Sequence, residues 1–166
     1  MDKDHIKRMY VEAHDRIHDA EILSRNTTTK SDSASQLKIL GFEILLKCAI
    51  FTCNLIPKNN HNYKKLWQAL PGYAKKDILN SAKLRMGGHT DFSDLDNLLL
   101  NYQFVFEKAR YFYELYEGYT LEEQREIGKF WEEIGAPINK ADVQYYPLEL
   151  DSLIHGLSEY IKDKVF

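Results

Sequence analysis

The sequence predicts an all-α protein, a multi-helix bundle, and three observations carry that reading. Apolar residues recur at three-and-four spacing through most of the 166-residue chain, which is the period of one helix face. No β-type alternation of useful length, internal repeat or low-complexity segment interrupts them. Between the periodic stretches stand Ser/Thr/Asp clusters, prolines and a glycine pair, the usual marks of helix starts and stops. A chain of this length can bury a substantial core, and no compositional break divides it, so residues 1–166 read as a single domain.

The first helix runs from Met1 to about Asn26, with Ile6, Met9, Ala13, Ile17, Ala20 and Leu23 on one face. Its outer side carries His14, His18 and Glu21 at metal-ligand spacing, but no fourth ligand is in view and a charged surface is the preferred reading. Asn26 to Ser35 is a polar link offering Ser31, Asp32 and Ser33 as N-caps. From Gln36 to about Asn54 nearly every residue is apolar, so this helix belongs at the centre of the bundle. The exceptions Gln36, Glu43, Lys47 and Asn54 recur at intervals of seven, four and seven, which lines them up along a single polar stripe.

Pro57 ends that helix. Tyr63 to Leu70 follows as a short helix stopped by Pro71-Gly72, and Tyr73 to Arg85 as another, closed by Met86-Gly87-Gly88. Thr90 or Asp91 is expected to cap a second central helix, about Ser93 to Glu117, with Leu95, Leu98, Leu99, Tyr102, Val105, Ala109, Phe112 and Tyr116 inward. Glu107, Arg110 and Glu114 form a charged line on it. Thr120 to Glu123 is a capping box that opens an acidic helix reaching Glu133. Gly135 to Tyr146 reads as a loop, and Pro147 starts a last amphipathic helix.

Composition excludes some function classes and leaves others. No apolar run approaches the roughly 20 residues of a membrane span, and the Met1-Asp-Lys-Asp start is unlike a signal peptide, so a soluble cytoplasmic protein is expected. Cys48 and Cys53 sit about 140° apart around one helix and read as reduced thiols rather than a disulfide or metal pair. Within the net charge of −3, Lys58 to Arg85 holds seven basic residues against one acid, a local +6 that leaves −9 elsewhere. Such a segment attracts a polyanion or an acidic protein surface. Tyr63, Trp67 and Tyr73 interleave it, either as base-stacking platforms or as core anchors, with the core preferred for Trp67. The chain has no Gly-rich phosphate loop, paired CxxC, HExxH or GxSxG, and nothing in it calls for a metal or cofactor.

Three segments together carry a resemblance: Phe42-Glu-Ile-Leu-Leu-Lys-Cys48, His61-Asn-Tyr-Lys-Lys-Leu-Trp67, and Phe106-Glu-Lys-Ala-Arg110-Tyr-Phe-Tyr-Glu114. They are similar to the HEPN superfamily over about half the chain, Gln36 to Glu117. The resemblance implies a helical bundle, often a homodimer or bound to a partner protein, that binds RNA or a nucleotide. It also implies, in many members, a metal-independent ribonuclease of toxin, antiviral or stress systems, in which an arginine is followed four to six residues later by histidine. Arg110 occupies the arginine position, but Glu114, Leu115 and Tyr116 stand where the histidine would be. Arg85 and His89 are too close, and Arg8 with His14 lies in the first helix. The expected site is therefore Arg110 and His61 as candidate catalytic residues, with Glu43, Lys47, Glu114, Lys64 and Lys65 binding ligand. The alternative is a non-enzymatic interaction or dimerisation module in which the same charges are structural.

Overall fold

A helix as uniformly apolar as the one after Ser33 has no face to show to water and must be enclosed. In the computed structural model, which describes residues 2–26, 32–108 and 111–166, it is enclosed by its neighbours. The described residues form eight α-helices and no strand: α1 Lys3–Asn26, α2 Ser33–Thr52, α3 Tyr63–Ala69, α4 Gly72–Arg85, α5 Leu95–Glu107, α6 Phe112–Leu115, α7 Leu121–Glu133 and α8 Pro147–Val165. A 3-10 turn at Ile138–Lys140 precedes α8. The all-α bundle follows the expectation, and no described helix is long and apolar enough to cross a membrane.

α2 packs against α1, α3, α5 and α8 and buries Ile39, Phe42, Leu45, Leu46, Ala49 and Ile50 completely. α1 comes especially close because position 41 is glycine: a Cβ there would stand 2.9 Å from the carbonyl oxygen of Ala13. Lys38 pairs with Asp151 of α8 at 2.7 Å. α8 buries ten of its residues against four for α5. The inner pair is therefore α2 with α8, which corrects the expected pairing of α2 with the Ser93–Glu117 segment.

That segment is also shorter than expected. α5 ends at Glu107, with the Lys108 amide closing its last turn on Phe104, and α6 is a separate turn. Helical order in a protein follows burial of an apolar face, and the buried residues of α5 stop at Val105. Ala109, Arg110 and the side chain of Phe112 lie outside the described residues, as does the N-cap candidate Ser31. Tyr116 is half-buried, its hydroxyl donating to Asp142 at 2.9 Å.

Two caps differ from expectation. Asp94, not Thr90 or Asp91, caps α5 by accepting from the Asn97 amide at 3.1 Å. Asp91 instead accepts from the Ser93 amide, in the turn before it. Asn54 does not extend the polar stripe. It adopts φ 58° beyond the end of α2, and the Asn54 and Leu55 amides bond back to the carbonyls of Phe51 and Ile50. This is the left-handed helix stop that asparagine tolerates better than most residues. The capping box of α7 is formed as read, with Thr120 and Glu123 bonding reciprocally.

Both cysteines are free. Cys48 is buried with Sγ 3.5 Å from the Ile6 carbonyl, and burial pushes its thiol pKa up to about 12. Cys53 Sγ lies 3.3 Å from the Tyr160 hydroxyl.

His14 turns toward α8 rather than joining His18 and Glu21 on an outer face. Its Nε2 is 3.1 Å from Ser158 Oγ, and Ser158 gives its own proton to the Ile154 carbonyl. In the neutral ring Nε2 therefore carries the hydrogen and donates. Burial first, and then Lys162, holds the His14 pKa below its ordinary 6.5, against an opposing pull from Asp15. With the folded pKa below the unfolded one, the unfolded chain binds more protons in that window. Stability should climb with pH up to about 6.5 and fall below it. Thermal melts from pH 5 to pH 7 should show the rise, and His14→Gln should flatten it; an equally steep rise in the variant would exclude His14 as its source.

Candidate functional site

The polar stripe of α2 reduces to a pair of residues one turn apart, Glu43 and Lys47, and the loop before α3 supplies their third member. Glu43 is 3% exposed, a carboxylate set into an apolar helix interior. Its Oε1 accepts from Lys47 Nζ at 2.7 Å and its Oε2 lies 2.8 Å from His61 Nδ1. A buried charge of this kind is retained only where its lone pairs are satisfied. Lys47 supplies the compensating charge, and its side chain is itself largely buried.

The geometry decides which imidazole nitrogen carries the proton. A carboxylate only accepts hydrogen bonds, so Nδ1 is the donor, and in the neutral ring Nε2 is left as an acceptor. The side chain of His61 is 53% exposed, whereas the carboxylate that orients it is not. The arrangement places a positioned base at the surface, backed by a buried anion, the relation that a general base needs.

The chain before α3 is stiffened for this purpose. Asn60 Oδ1 accepts from the Asn62 amide at 3.2 Å, and Asn62 Oδ1 caps α3 by accepting from the Lys65 amide at 2.8 Å. The His61 ring packs on Phe106 of α5, centroids 5.1 Å apart. Phe106 touches Tyr63, Tyr63 touches Phe42 and Phe42 touches Tyr102, a row of rings leading from the surface into the core. Neither Phe106 nor the two asparagines was identified in the sequence as supporting His61. The spacing from Asn62 to Lys65 is an N-cap pattern and could have been read; the contact across to α5 could not.

The remaining candidates are dispersed. Lys64 pairs with Asp96 at 2.8 Å, and Lys65 is exposed on the first turn of α3. Glu114 is exposed on α6, held by the Tyr113 hydroxyl at 3.4 Å, and does not join Glu43. Arg110 lies outside the described residues. Tyr63 and Trp67 are core anchors, buried against α2 and its neighbours, whereas Tyr73 is exposed. Cavities of about 320 and 370 Å³ open elsewhere, and Glu43, Lys47 and His61 line neither. Among the described residues no group of three or more His, Cys, Asp or Glu side chains is placed to hold a metal ion.

Comparison of the chain with protein-family models, with curated proteins and with solved structures finds no match in any of the three. The site must be read from its own chemistry. An imidazole fixed by a buried carboxylate accepts a proton from a hydroxyl or water in its neutral form and donates one in its protonated form. Lys58, in the same loop, and Lys64 and Lys65, just after it, surround it in sequence with positive charge.

Proposed function

We propose that this chain is a HEPN-like protein that binds RNA or a nucleotide at the α2–α3 loop, with His61 as the group that moves a proton there. The observation that carries the reading is the Glu43–His61 contact, a buried carboxylate that orients an exposed imidazole. Lys58, Lys64 and Lys65 would neutralise phosphates. The Lys64–Asp96 pair is partly exposed and contributes under about 1 kcal/mol, so a phosphate can displace Asp96. On an RNA strand the reaction that fits is internal transesterification. His61 Nε2 takes the 2′-hydroxyl proton, the 2′-oxygen bonds to the adjacent phosphorus, and the bond to the 5′-oxygen breaks as that oxygen takes a proton from solvent water, giving a 2′,3′-cyclic phosphate; the proton on Nε2 then returns to the hydroxide left behind. Glu43 would hold the ring while it carries the extra proton.

Binding of a short fluorescent RNA tests the first half. With three phosphate contacts the logarithmic salt slope for a single strand is about −2, so affinity should fall roughly 15-fold between 50 and 200 mM salt. Replacing Lys58, Lys64 and Lys65 by alanine should remove most of that slope; salt-insensitive or absent binding rejects the reading. For the second half, His61→Ala should lower cleavage about 100-fold while leaving RNA affinity unchanged. Cleavage that survives the substitution rules out His61 as the base.

A further inference from the structure

α7 is the most sharply two-sided helix of the chain, yet it buries none of its residues. Ile127, Phe130, Trp131 and Ile134 follow at three-and-four spacing on one side, and Phe130 is 63% exposed. A helix with a formed capping box and an uncovered apolar stripe has its ends settled but not its face. Exposed apolar patches of this kind mark contact surfaces. The rest of α7 is acidic, five glutamates against Arg125 and Lys129, a net −3. Two copies of α7 laid face to face would set those charges against each other.

The same chain carries a surface of opposite character. α4 has four basic residues, Lys75, Lys76, Lys83 and Arg85, against Asp77, a net +3. Its outer side shows Leu84, 82% exposed, with Lys76 and Lys83 along one edge and the ring of Tyr73, whose hydroxyl reaches back to Cys53 and Tyr160, at its start. No ion pair is formed by Lys76 or Lys83 among the described residues. Next to Lys83 opens the cavity of about 370 Å³, lined also by Gly88, Thr90, Asp91, Phe92 and Ser93, with room for an aromatic ring. Apolar stripe meets apolar stripe, glutamate edge meets lysine edge, and a ring meets a pocket. Both surfaces are open in one chain, so they are free to meet between two.

We propose that the apolar face of α7 docks on the outer side of α4 of a second copy of this chain, each copy giving and receiving one helix in a two-fold dimer. The two-fold axis makes the exchange reciprocal, so the α7 and α4 faces of both copies are used up and the assembly closes at two subunits. Phe130 is the anchor, set into the cavity beside Lys83, and Glu126 and Glu133 face Lys76 and Lys83.

Sedimentation equilibrium of the full chain over a range of concentrations tests this. The wild type should show a monomer–dimer equilibrium whose dissociation constant rises at least about tenfold from 100 to 500 mM salt. Phe130→Asp should give monomers with an unchanged circular dichroism spectrum, since the residue is exposed, and a melting point that no longer depends on protein concentration. Lys76→Glu with Lys83→Glu should also give monomers. Adding Glu126→Lys and Glu133→Lys to that charge-reversed chain should restore the dimer. A wild type that stays monomeric at several hundred micromolar overturns the proposal. So does a dimer untouched by the lysine reversals, or one that tightens with salt, the mark of an apolar contact such as α7 on α7.

Discussion

Glu43→Ala is expected to destabilise the fold by about 3 to 4 kcal/mol, because it leaves the Lys47 ammonium largely buried without a counter-charge. For a domain of this size that corresponds to a melting point lower by roughly 10 °C. Denaturant titration should show the midpoint falling with its slope unchanged, as for a native-state loss without a change in surface exposed. Removing both charges, Glu43→Leu with Lys47→Met, should recover most of the loss, since two apolar side chains need no partners there. His61→Ala should cost less, about 1 to 2 kcal/mol, because it leaves one oxygen of the buried Glu43 carboxylate without its donor while the exposed ring it removes lets water in to replace it. If all three variants lose the same amount, the group is not coupled in the way its distances indicate.

Gly156→Ala is expected to be the most damaging of the single-methyl changes, at roughly 3 kcal/mol. A methyl group there would overlap the carbonyl oxygen of Ile78 and crowd Ala82 at 3.2 Å. The obstruction is the backbone of α4, which cannot turn aside as a side chain can, so α4 and α8 must move apart. Alanine's better helix propensity returns only about 1 kcal/mol. Gly128→Ala on α7, where nothing lies within 4 Å, is the matched comparison; it should stabilise by about 0.5 to 1 kcal/mol. Equal effects at the two positions would mean that α4 and α8 are not in the close contact described.

What was legible in the sequence was local. The capping box at Thr120, the stop at Gly87-Gly88 and the apolar run of α2 depend on neighbours within a turn, and the structure has them where they were read. Asn54 was misread because periodicity cannot tell a polar residue on a stripe from one that ends the helix. The importance of α8 was missed because its packed face includes Ser152, Gly156 and Ser158. Those small residues lower its apparent apolarity while letting neighbours approach. The stop after Glu107 has no glycine or proline to announce it; it comes where the core runs out. At the site, Glu43 and Lys47 were legible from helical spacing. That His61 reaches the same carboxylate across 18 residues was only an inference from the resemblance and the loop, and the 2.8 Å contact supplies it.

Gly41 and Glu43 are two residues apart, which places them about 200° apart around the axis of α2. An apolar cylinder has little reason of its own to prefer one rotation over another, since every setting buries similar surface. The missing side chain at 41 admits α1 on one side, and the carboxylate at 43 demands Lys47 and His61 on the other. Together they act as keyway and key, fixing the rotational setting of the central helix. The doubly apolar variant at 43 and 47 would keep its stability and lose one of the two marks that make that setting unique.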